Sequence, residues 1–231
     1  MKRAVIKGIW GVSEPLTRAR NKLNAEVPST IKNPLSLPCV TYAFGKENCD
    51  FVKKSGDDCV LIDDKPFLFE PKFQFRNKLE MIKYAMEVDG YDEILWVDWD
   101  CVPVKKMPSN YWDIFSKKES FQACLHIYHR KKCGWRKFSP RTVPNGGFIY
   151  LRDKSVISEV IKMWEANQQD NDEPAWAKYT DSIMGEFVGT PDSLKKYWDM
   201  FEPDFCNIHG GSPFSAELLN SKDVCFIHMH G

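Results

Sequence analysis

Short apolar runs alternate with helix-like patterns along this chain of 231 residues. RAVIKGIW, CVTYAF and DCVLID are rich in β-branched and aromatic residues and predict three strands. Later strands are predicted for EILWV, SFQACLHIY, GGFIYL and VCFIHMHG. Such alternation is typical of an α/β domain, in which helices flank a mostly parallel central sheet. The length suits a single domain of this kind with a substantial core.

Three helices are predicted between these strands, and residues 13–38, with several prolines and asparagines, predict a loop with one short helix. The first helix has an apolar stripe at helical spacing and ends at DGYD; the stripe is Phe75, Leu79, Ile82 and Met86. The second covers about 155–168 and has one apolar face: Val156, Ile157, Val160, Ile161 and Trp164. The third begins at DEPAW, where Pro174 suits the first helical position.

Charge and hydropathy exclude several classes of function. The chain has 32 basic and 32 acidic residues, so no net field draws nucleic acid to it. No apolar run approaches the roughly 20 residues that a membrane span needs, and MKRAVIKGIW lacks the apolar core of a signal peptide. These features predict a soluble, cytoplasmic protein. The abrupt end at HMHG suggests a domain from a longer polypeptide with additional domains.

Six of the eight cysteines are scattered singly, which is typical of free thiols in a reducing compartment. The segment CLHIYHRKKC is different, because Cys124, His126, His129 and Cys133 lie close together. Its spacing matches none of the common zinc templates, which separate two ligand pairs by a longer loop. A strand and turn lining a cleft is the favoured interpretation, with a metal site as the alternative.

The apolar run EILWV ends in two acids one residue apart, in WVDWDCV. Side chains alternate across a strand, so Asp98 and Asp100 are expected on one face and Trp99 on the other. Neighbouring carboxylates repel each other unless a cation lies between them. Either the strand emerges into water here, or something positive is bound.

Position favours a bound cation. Ligands of open α/β sheets bind at the carboxyl ends of the strands, where Asp98, Asp100 and His228 are all expected. Two carboxylates and one imidazole suit Mn²⁺, or Mg²⁺, and leave coordination positions open for substrate oxygens. A diphosphate would fill those positions, since a metal neutralises charge on a departing phosphate.

WVDWDCV resembles the Asp-x-Asp motif of nucleotide-sugar glycosyltransferases with the GT-A fold. The order of motifs extends this resemblance over residues 1–231: FRNKL precedes the acids, and VPNGGFIYLRD, DEPAW and IHMHG follow them. This order is similar to the glycogenin-like and galactosyl/xylosyltransferase-like retaining enzymes. The resemblance implies one GT-A domain, with a nucleotide-binding half at 1–105 and an acceptor and donor-sugar half at 106–231.

The resemblance also implies roles for individual residues. Asp98, Asp100 and His228 would hold the metal on a UDP-sugar, with His230 competing as the third ligand. Asp172 and Glu173 match the pair that faces the reacting sugar. The remaining implied donor contacts are Ile9, Trp10 and Gly11 at the base, Arg76, Asn145 at the donor sugar, and Gly231 at the diphosphate. An interpretation of Asn145-Gly146-Gly147 as a simple turn stays open.

The predicted activity is transfer of a sugar from a UDP-sugar to a carbohydrate acceptor, with retention of configuration implied by the resemblance. An inverting enzyme would need a carboxylate base, for which Asp172, Glu173 and Asp181 are candidates. The alternatives are a sugar-1-phosphate nucleotidyltransferase of the same fold, an Asp-x-Asp phosphatase and a non-catalytic carbohydrate-binding protein. Among the tryptophans, Trp96 and Trp164 are predicted in the core, and Trp99, Trp135 and Trp176 as candidate sugar contacts.

Overall fold

Six strands form the central sheet of this computed structural model. The structure describes residues 1–10, 39–54, 58–62, 74–99, 101–103, 107–116, 121–125, 144–166, 172–184, 206–210 and 226–230. The six strands are β1 (Arg3–Ile9), β2 (Cys39–Phe44), β3 (Asp58–Ile62), β4 (Glu93–Val97), β6 (Phe121–Leu125) and β7 (Pro144–Leu151). They lie side by side in the order β3-β2-β1-β4-β7-β6. The predicted α/β class with a mostly parallel sheet is therefore confirmed.

One strand of the central sheet runs against the others. β1 pairs in parallel with β2 and with β4, and β2 pairs in parallel with β3. β7 is antiparallel to both β4 and β6, so GGFIYL reverses direction. As a result the amino end of β7 lies beside the carboxyl end of β4, with Val97 opposite Phe148.

A second sheet of three strands contains β5 (Cys101–Pro103), β9 (Phe226–His230) and β8 (Cys206–Gly210), in that order. The predicted last strand therefore forms, but it pairs with β5 and β8 and does not extend the central sheet. The reason is the turn after β4, which ends one strand and starts β5 in another sheet. A pattern of apolar residues does not encode which partner a strand finds.

Five helices occur among the described residues: α1 (Lys46–Lys54), α2 (Gln74–Glu87), α3 (Tyr111–Ser116), α4 (Lys154–Glu165) and α5 (Glu173–Met184). The predicted stripe of α2 is buried at Leu79, Ile82 and Met86. Asp153 precedes α4 and caps it, because its carboxylate accepts a hydrogen bond from the Ser155 amide at 2.8 Å. Pro174 is the second residue of α5, after Glu173.

The main core lies between the central sheet and the helices α2, α4 and α5. It contains Ile6, Ile94 and Trp96 from the sheet and Leu79 and Trp164 from the helices. The predicted core positions of Trp96 and Trp164 are confirmed. None of the described helices is long and apolar enough to cross a membrane.

Four elements were not predicted from the sequence: α1, α3, β5 and β8. α1 and α3 are short, with 9 and 6 residues, and β5 has only 3. Elements of this length carry too few apolar repeats to establish a period. Burial of Tyr111 and Phe115 stabilises α3 instead, and burial of Cys49 and Val52 does so for α1.

Gly8 of β1 is a position where the core leaves no room for a side chain. A Cβ there would lie 2.5 Å from Cη2 of Trp96 and 2.7 Å from Sδ of Met81. We expect Gly8→Ala to lower the free energy of unfolding by about 1–3 kcal/mol, because overpacking forces side chains and backbone to shift. Urea unfolding measures the change, with the partly exposed Lys83→Ala as control, for which we expect less than about 0.5 kcal/mol. Equal effects of the two substitutions would contradict the packing described here.

Candidate active site

The backbone at the carboxyl end of β4 turns sharply and presents Asp98. The Asp98 amide donates to the carbonyl of Gly147 at 2.8 Å, which continues the pairing between β4 and β7. The Cys101 amide then donates to the Asp98 carbonyl at 2.9 Å, which closes a turn before β5. Asp98 is therefore held at the edge of the sheet where ligands of α/β folds bind.

The cation beside Asp98 is the ammonium group of Lys78, from the first half of α2. Its Nζ lies 3.0 Å from Oδ2 of Asp98 and 3.3 Å from Oδ2 of Asp172. It also donates to the carbonyl of Gly146 at 3.2 Å. The Lys78 side chain is 3% exposed and that of Asp172 is 2% exposed, whereas that of Asp98 is 16% exposed. Only Asp98 in this group of three opens toward solvent.

Two tryptophans orient the carboxylates. The indole N–H of Trp96 donates to Oδ1 of Asp98 at 2.6 Å, and that of Trp176 donates to Oδ2 of Asp172 at 2.8 Å. Both rings are fully buried, so their N–H groups need partners inside the protein. Each carboxylate is thus fixed by one indole and by the shared ammonium. We call Lys78, Asp98 and Asp172, with these two tryptophans, the lysine cluster.

Gly146 brings β7 close enough to join the lysine cluster. A Cβ at this residue would lie 2.5 Å from Oδ2 of Asp172 and 3.1 Å from Nζ of Lys78. The ladder between β6 and β7 shifts register between Ala123 and Cys124, where the partner on β7 jumps from Ile149 to Asn145. Irregularities of this kind are common beside active sites. Asn145 and Gly146 therefore lie in a strand, and the interpretation of this triplet as a simple turn is not borne out.

The charge on Lys78 is stabilised by its partners. Burial alone would lower the pKa of Lys78, yet the carboxylates of Asp172 and Asp98 outweigh burial and raise that pKa above its ordinary value. Because the folded-state pKa is raised, the stabilisation is complete at neutral pH and is lost only as alkaline pH rises through that pKa. With one ammonium and two carboxylates, the lysine cluster keeps a net negative charge.

Of the other two predicted metal ligands, the structure describes only the backbone of His228. Asp100 is outside the described residues, and the His228 side chain is not described. The backbone of β9 nevertheless places His228 directly opposite Cys101, the residue that follows Asp100 in the chain. No group of three or more potential ligands lies together in the parts of the chain that the structure describes. The metal site stays a prediction.

The predicted catalytic pair begins α5. Asp172 precedes the helix, and its carbonyl accepts hydrogen bonds from the amides of Ala175 and Trp176. Its buried carboxylate lies against Gly146 of β7 and pairs with Lys78. Glu173 is the first residue of α5, and its side chain is not described. A direct contact of either residue with substrate stays a prediction.

Arg76 forms a different set of contacts from those of Lys78, two residues later on α2. Its guanidinium lies 2.5 Å from Oε1 of Glu80 and 2.9 Å from Oε1 of Glu165, and it stacks 5.3 Å from the ring centre of Trp164. It therefore bridges α2 and α4 in this structure, and its predicted contact with the donor stays untested. FRNKL contains both cations, but sequence reasoning chose Arg76 and missed Lys78. The only available signal was the position of Lys78 beside the apolar stripe of α2.

The expected nucleotide contacts lie at the carboxyl end of β1. Ile9 is buried against Ala43 and Trp99, and Trp10 packs partly buried against the main core. Gly11 and Gly231 lie outside the described residues. Asn145 belongs to β7 beside Gly146, and its side chain is not described.

Two tryptophans predicted to contact sugar are core residues instead. Trp99 packs with Ile9, Ala43 and Val52. It lies in the turn after β4, which ends at Val97, so strand alternation does not apply to it. Trp176 is fully buried beneath Asp172. Neither ring offers a surface to a ligand in this structure, so both predictions are wrong. Trp135, His126, His129 and Cys133 lie outside the described residues, and only the backbone of Cys124 is described.

Comparison with known proteins gives a likeness in fold. No protein-family sequence profile matches the chain, and neither does any curated protein. Among solved structures, a glycosyltransferase involved in the glycosylation of the major capsid of PBCV-1 superposes with a TM-score of 0.51 at 13% identity, covering 100% of this chain and 94% of that one. Two structures of the glycosyltransferase GlyE of Streptococcus pneumoniae TIGR4, one of them the apo form, give TM-scores of 0.44 and 0.45 at 14% and 12% identity. This chain spans less than half of each, 43% and 44%. The chain therefore has a fold found in a glycosyltransferase.

The buried lysine gives a direct prediction for stability. We expect Lys78→Met to lower the free energy of unfolding by about 3–5 kcal/mol, because it leaves two carboxylates adjacent without their cation. Chemical denaturation measures the loss. The matched control is Lys162→Met, which removes a lysine 68% exposed in its pair with Glu159 and should cost no more than about 1 kcal/mol.

A second substitution separates charge from packing. Adding Asp172→Asn to Lys78→Met removes one of the two unbalanced charges, so we expect part of the lost stability to return. Simple addition of the two single losses would show that the carboxylate and the ammonium act independently.

Proposed function

We propose that this protein is a glycosyltransferase that moves a sugar from a nucleotide-sugar donor to a carbohydrate acceptor, and that the donor is a UDP-sugar. The observation that carries the proposal is Asp98, an acid held at the carboxyl edge of β4 by buried partners and open to solvent on one side. The fold shared with a glycosyltransferase supports the same class of reaction. We place nucleotide binding in residues 1–105 and the sugar-binding part in 106–231.

A divalent cation, Mn²⁺ or Mg²⁺, fits the residues at this edge. Carboxylate oxygens are ligands that both ions prefer, and the hydrogen bonds from Trp96 and Lys78 hold the Asp98 carboxylate in one orientation. The net negative charge of the lysine cluster favours a further cation. We propose that Asp98, Asp100 and His228 hold it, supported by the pairing of His228 with Cys101 in the second sheet. When bound, such an ion neutralises charge on a leaving diphosphate.

The residues of the chain itself then have separate tasks. Lys78 and Trp96 fix the orientation of Asp98, so that no side-chain freedom is lost when a ligand binds. Because Gly146 has no side chain, β7 can approach the lysine cluster closely, and this approach sets the position of the neighbouring Asn145. We propose that the amide of Asn145 binds the donor sugar, because an amide donates and accepts hydrogen bonds at once.

The nucleotide is proposed to lie over the carboxyl end of β1. Ile9, Trp10 and Gly11 would contact the base, and Gly231 would let the backbone approach the diphosphate. Arg76 would contact the donor after leaving its partners Glu80 and Glu165. The Glu165 side chain is 55% exposed, so its pair with Arg76 is a weak restraint, whereas the Arg76–Glu80 pair is largely buried, with side chains 19% and 12% exposed.

The stereochemical course that we propose is retention, with the leaving phosphate taking the acceptor proton. The buried state of Asp172 supports this choice, since a general base must come within hydrogen-bond reach of the acceptor hydroxyl. In this structure Asp172 already shares Lys78 with Asp98. We assign Asp172 and Glu173 to the surroundings of the reacting sugar.

Release of nucleotide diphosphate from the donor tests the reaction class. With Mn²⁺ and a panel of nucleotide sugars, we expect slow release of UDP and its loss in excess chelator. Asp98→Asn should lower the rate at least about 100-fold, the scale of losing a well-placed electrostatic partner. The exposed Asp113→Asn on α3 is the control and should leave the rate unchanged.

Two other results would indicate a different function. Pyrophosphate formed from a sugar phosphate and a nucleoside triphosphate would indicate the nucleotidyltransferase. Sugar binding without turnover of any donor would indicate a carbohydrate-binding protein. Either result would overturn the proposal.

The metal ligands are tested by binding alone. We expect Asp100→Asn and His228→Ala each to weaken Mn²⁺ binding at least about 10-fold by calorimetry, because losing only a group that hydrogen-bonds a metal ligand already costs about 10- to 100-fold and each change removes a proposed ligand. His230→Ala is the matched control, two residues further along the same strand. A larger loss from His230→Ala than from His228→Ala would reverse the assignment between the two histidines.

A further inference from the structure

Two cysteines that lie apart in the sequence meet in the structure. Sγ of Cys59, on β3, donates a hydrogen bond to Sγ of Cys49, on α1, at 2.8 Å. Neither thiol is in a disulfide. The sulfurs are within about 1 Å of the S–S bond length of about 2.05 Å, so a bond needs only a small movement of the two side chains.

The two thiols differ in access. Cys49 is buried with Ile9, Ala43, Val52 and Trp99 in an apolar cluster. Cys59 packs against that cluster from the outside and is only partly buried. A reagent in solution therefore meets Cys59 first, and Cys49 is positioned to react with whatever forms there.

We propose that Cys49 and Cys59 form a modification site for low-molecular-weight disulfides, which convert the pair into a disulfide between α1 and β3. The Cys59 thiolate attacks one sulfur of the reagent, whose S–S bond breaks and releases a thiolate. The Cys49 thiolate then attacks Sγ of Cys59 and displaces the second reagent thiolate. The two released thiolates take up the two protons that the cysteines lose. The protein is oxidised by two electrons, and the reagent is reduced to two thiols.

Burial sets the conditions for this exchange. Desolvation and the hydrogen bond to Cys49 raise the pKa of Cys59 to about 12. The charge of Lys53 lowers this pKa, and that of Asp50 raises it further. Since the thiolate is the nucleophile, the exchange is slow at neutral pH and faster in mildly alkaline solution. The resulting disulfide would join α1 to β3 within the cluster that holds Trp99, the residue between the two predicted metal-binding acids.

The test uses the full chain and oxidised glutathione at mildly alkaline pH, followed by alkylation under denaturing conditions and digestion with trypsin. Lys53 and Lys54 lie between the two cysteines, so trypsin separates them unless a disulfide joins the peptides. We expect one cross-linked peptide pair with the mass of Cys49–Cys59, lighter by two hydrogens than the reduced peptides. Alkylation of both residues, or their linkage to other cysteines, would overturn the proposal.

Single variants test the order of events. Cys49→Ser removes the resolving thiol, so glutathione should remain on Cys59. Cys59→Ser leaves only the buried thiol, and we expect at least about tenfold less adduct on Cys49. Equal adducts in both variants, with unchanged circular dichroism, would show that the two thiols have the same access and would refute the mechanism. Cys101→Ser is the control, a buried free thiol that should not alter the yield.

Discussion

One buried ammonium group organises the carboxyl edge of the central sheet. Lys78 contacts Asp98, Asp172 and the carbonyl of Gly146, so α2, the end of β4, the start of β7 and the start of α5 all meet at its Nζ atom. A buried ammonium is tolerated only when its partners compensate for lost hydration, and here two carboxylates do so. The same contacts leave Asp98 as the exposed member of the group. Stability and the presentation of that acid therefore have one physical origin.

The ion pair between Lys78 and Asp98 also bears on the two neighbouring acids after β4, Asp98 and Asp100. Their repulsion argues for a cation, and the structure provides one for Asp98 from within the protein. A lysine in this position neutralises only part of the negative charge, so an additional divalent cation remains compatible with the edge. The alternative of incidental, solvated acids does not suit Asp98, whose two oxygens each accept a hydrogen bond from a buried donor.

Much of the fold was predictable because burial imposes a period on the sequence. Leu79, Ile82 and Met86 repeat at helical spacing, and ILWV is an unbroken apolar run, so α2 and β4 follow directly. The lysine cluster was only partly predictable. Asp98 and Asp172 follow from motif order, but Lys78 is a charged residue that becomes buried through tertiary contacts, and Trp99 and Trp176 enter the core for the same reason. The meeting of Cys49 with Cys59 likewise depends on how α1 packs on β3, which no local pattern records.

The lysine cluster joins residues that are distant along the chain: Lys78 and Asp172 are 94 positions apart. Bringing such distant residues together costs loop-closure entropy before any contact compensates for it. Without a docked α5, Lys78 would keep Asp98 as a carboxylate partner but would lack Asp172. The complete lysine cluster therefore requires the native packing of α5 against the sheet.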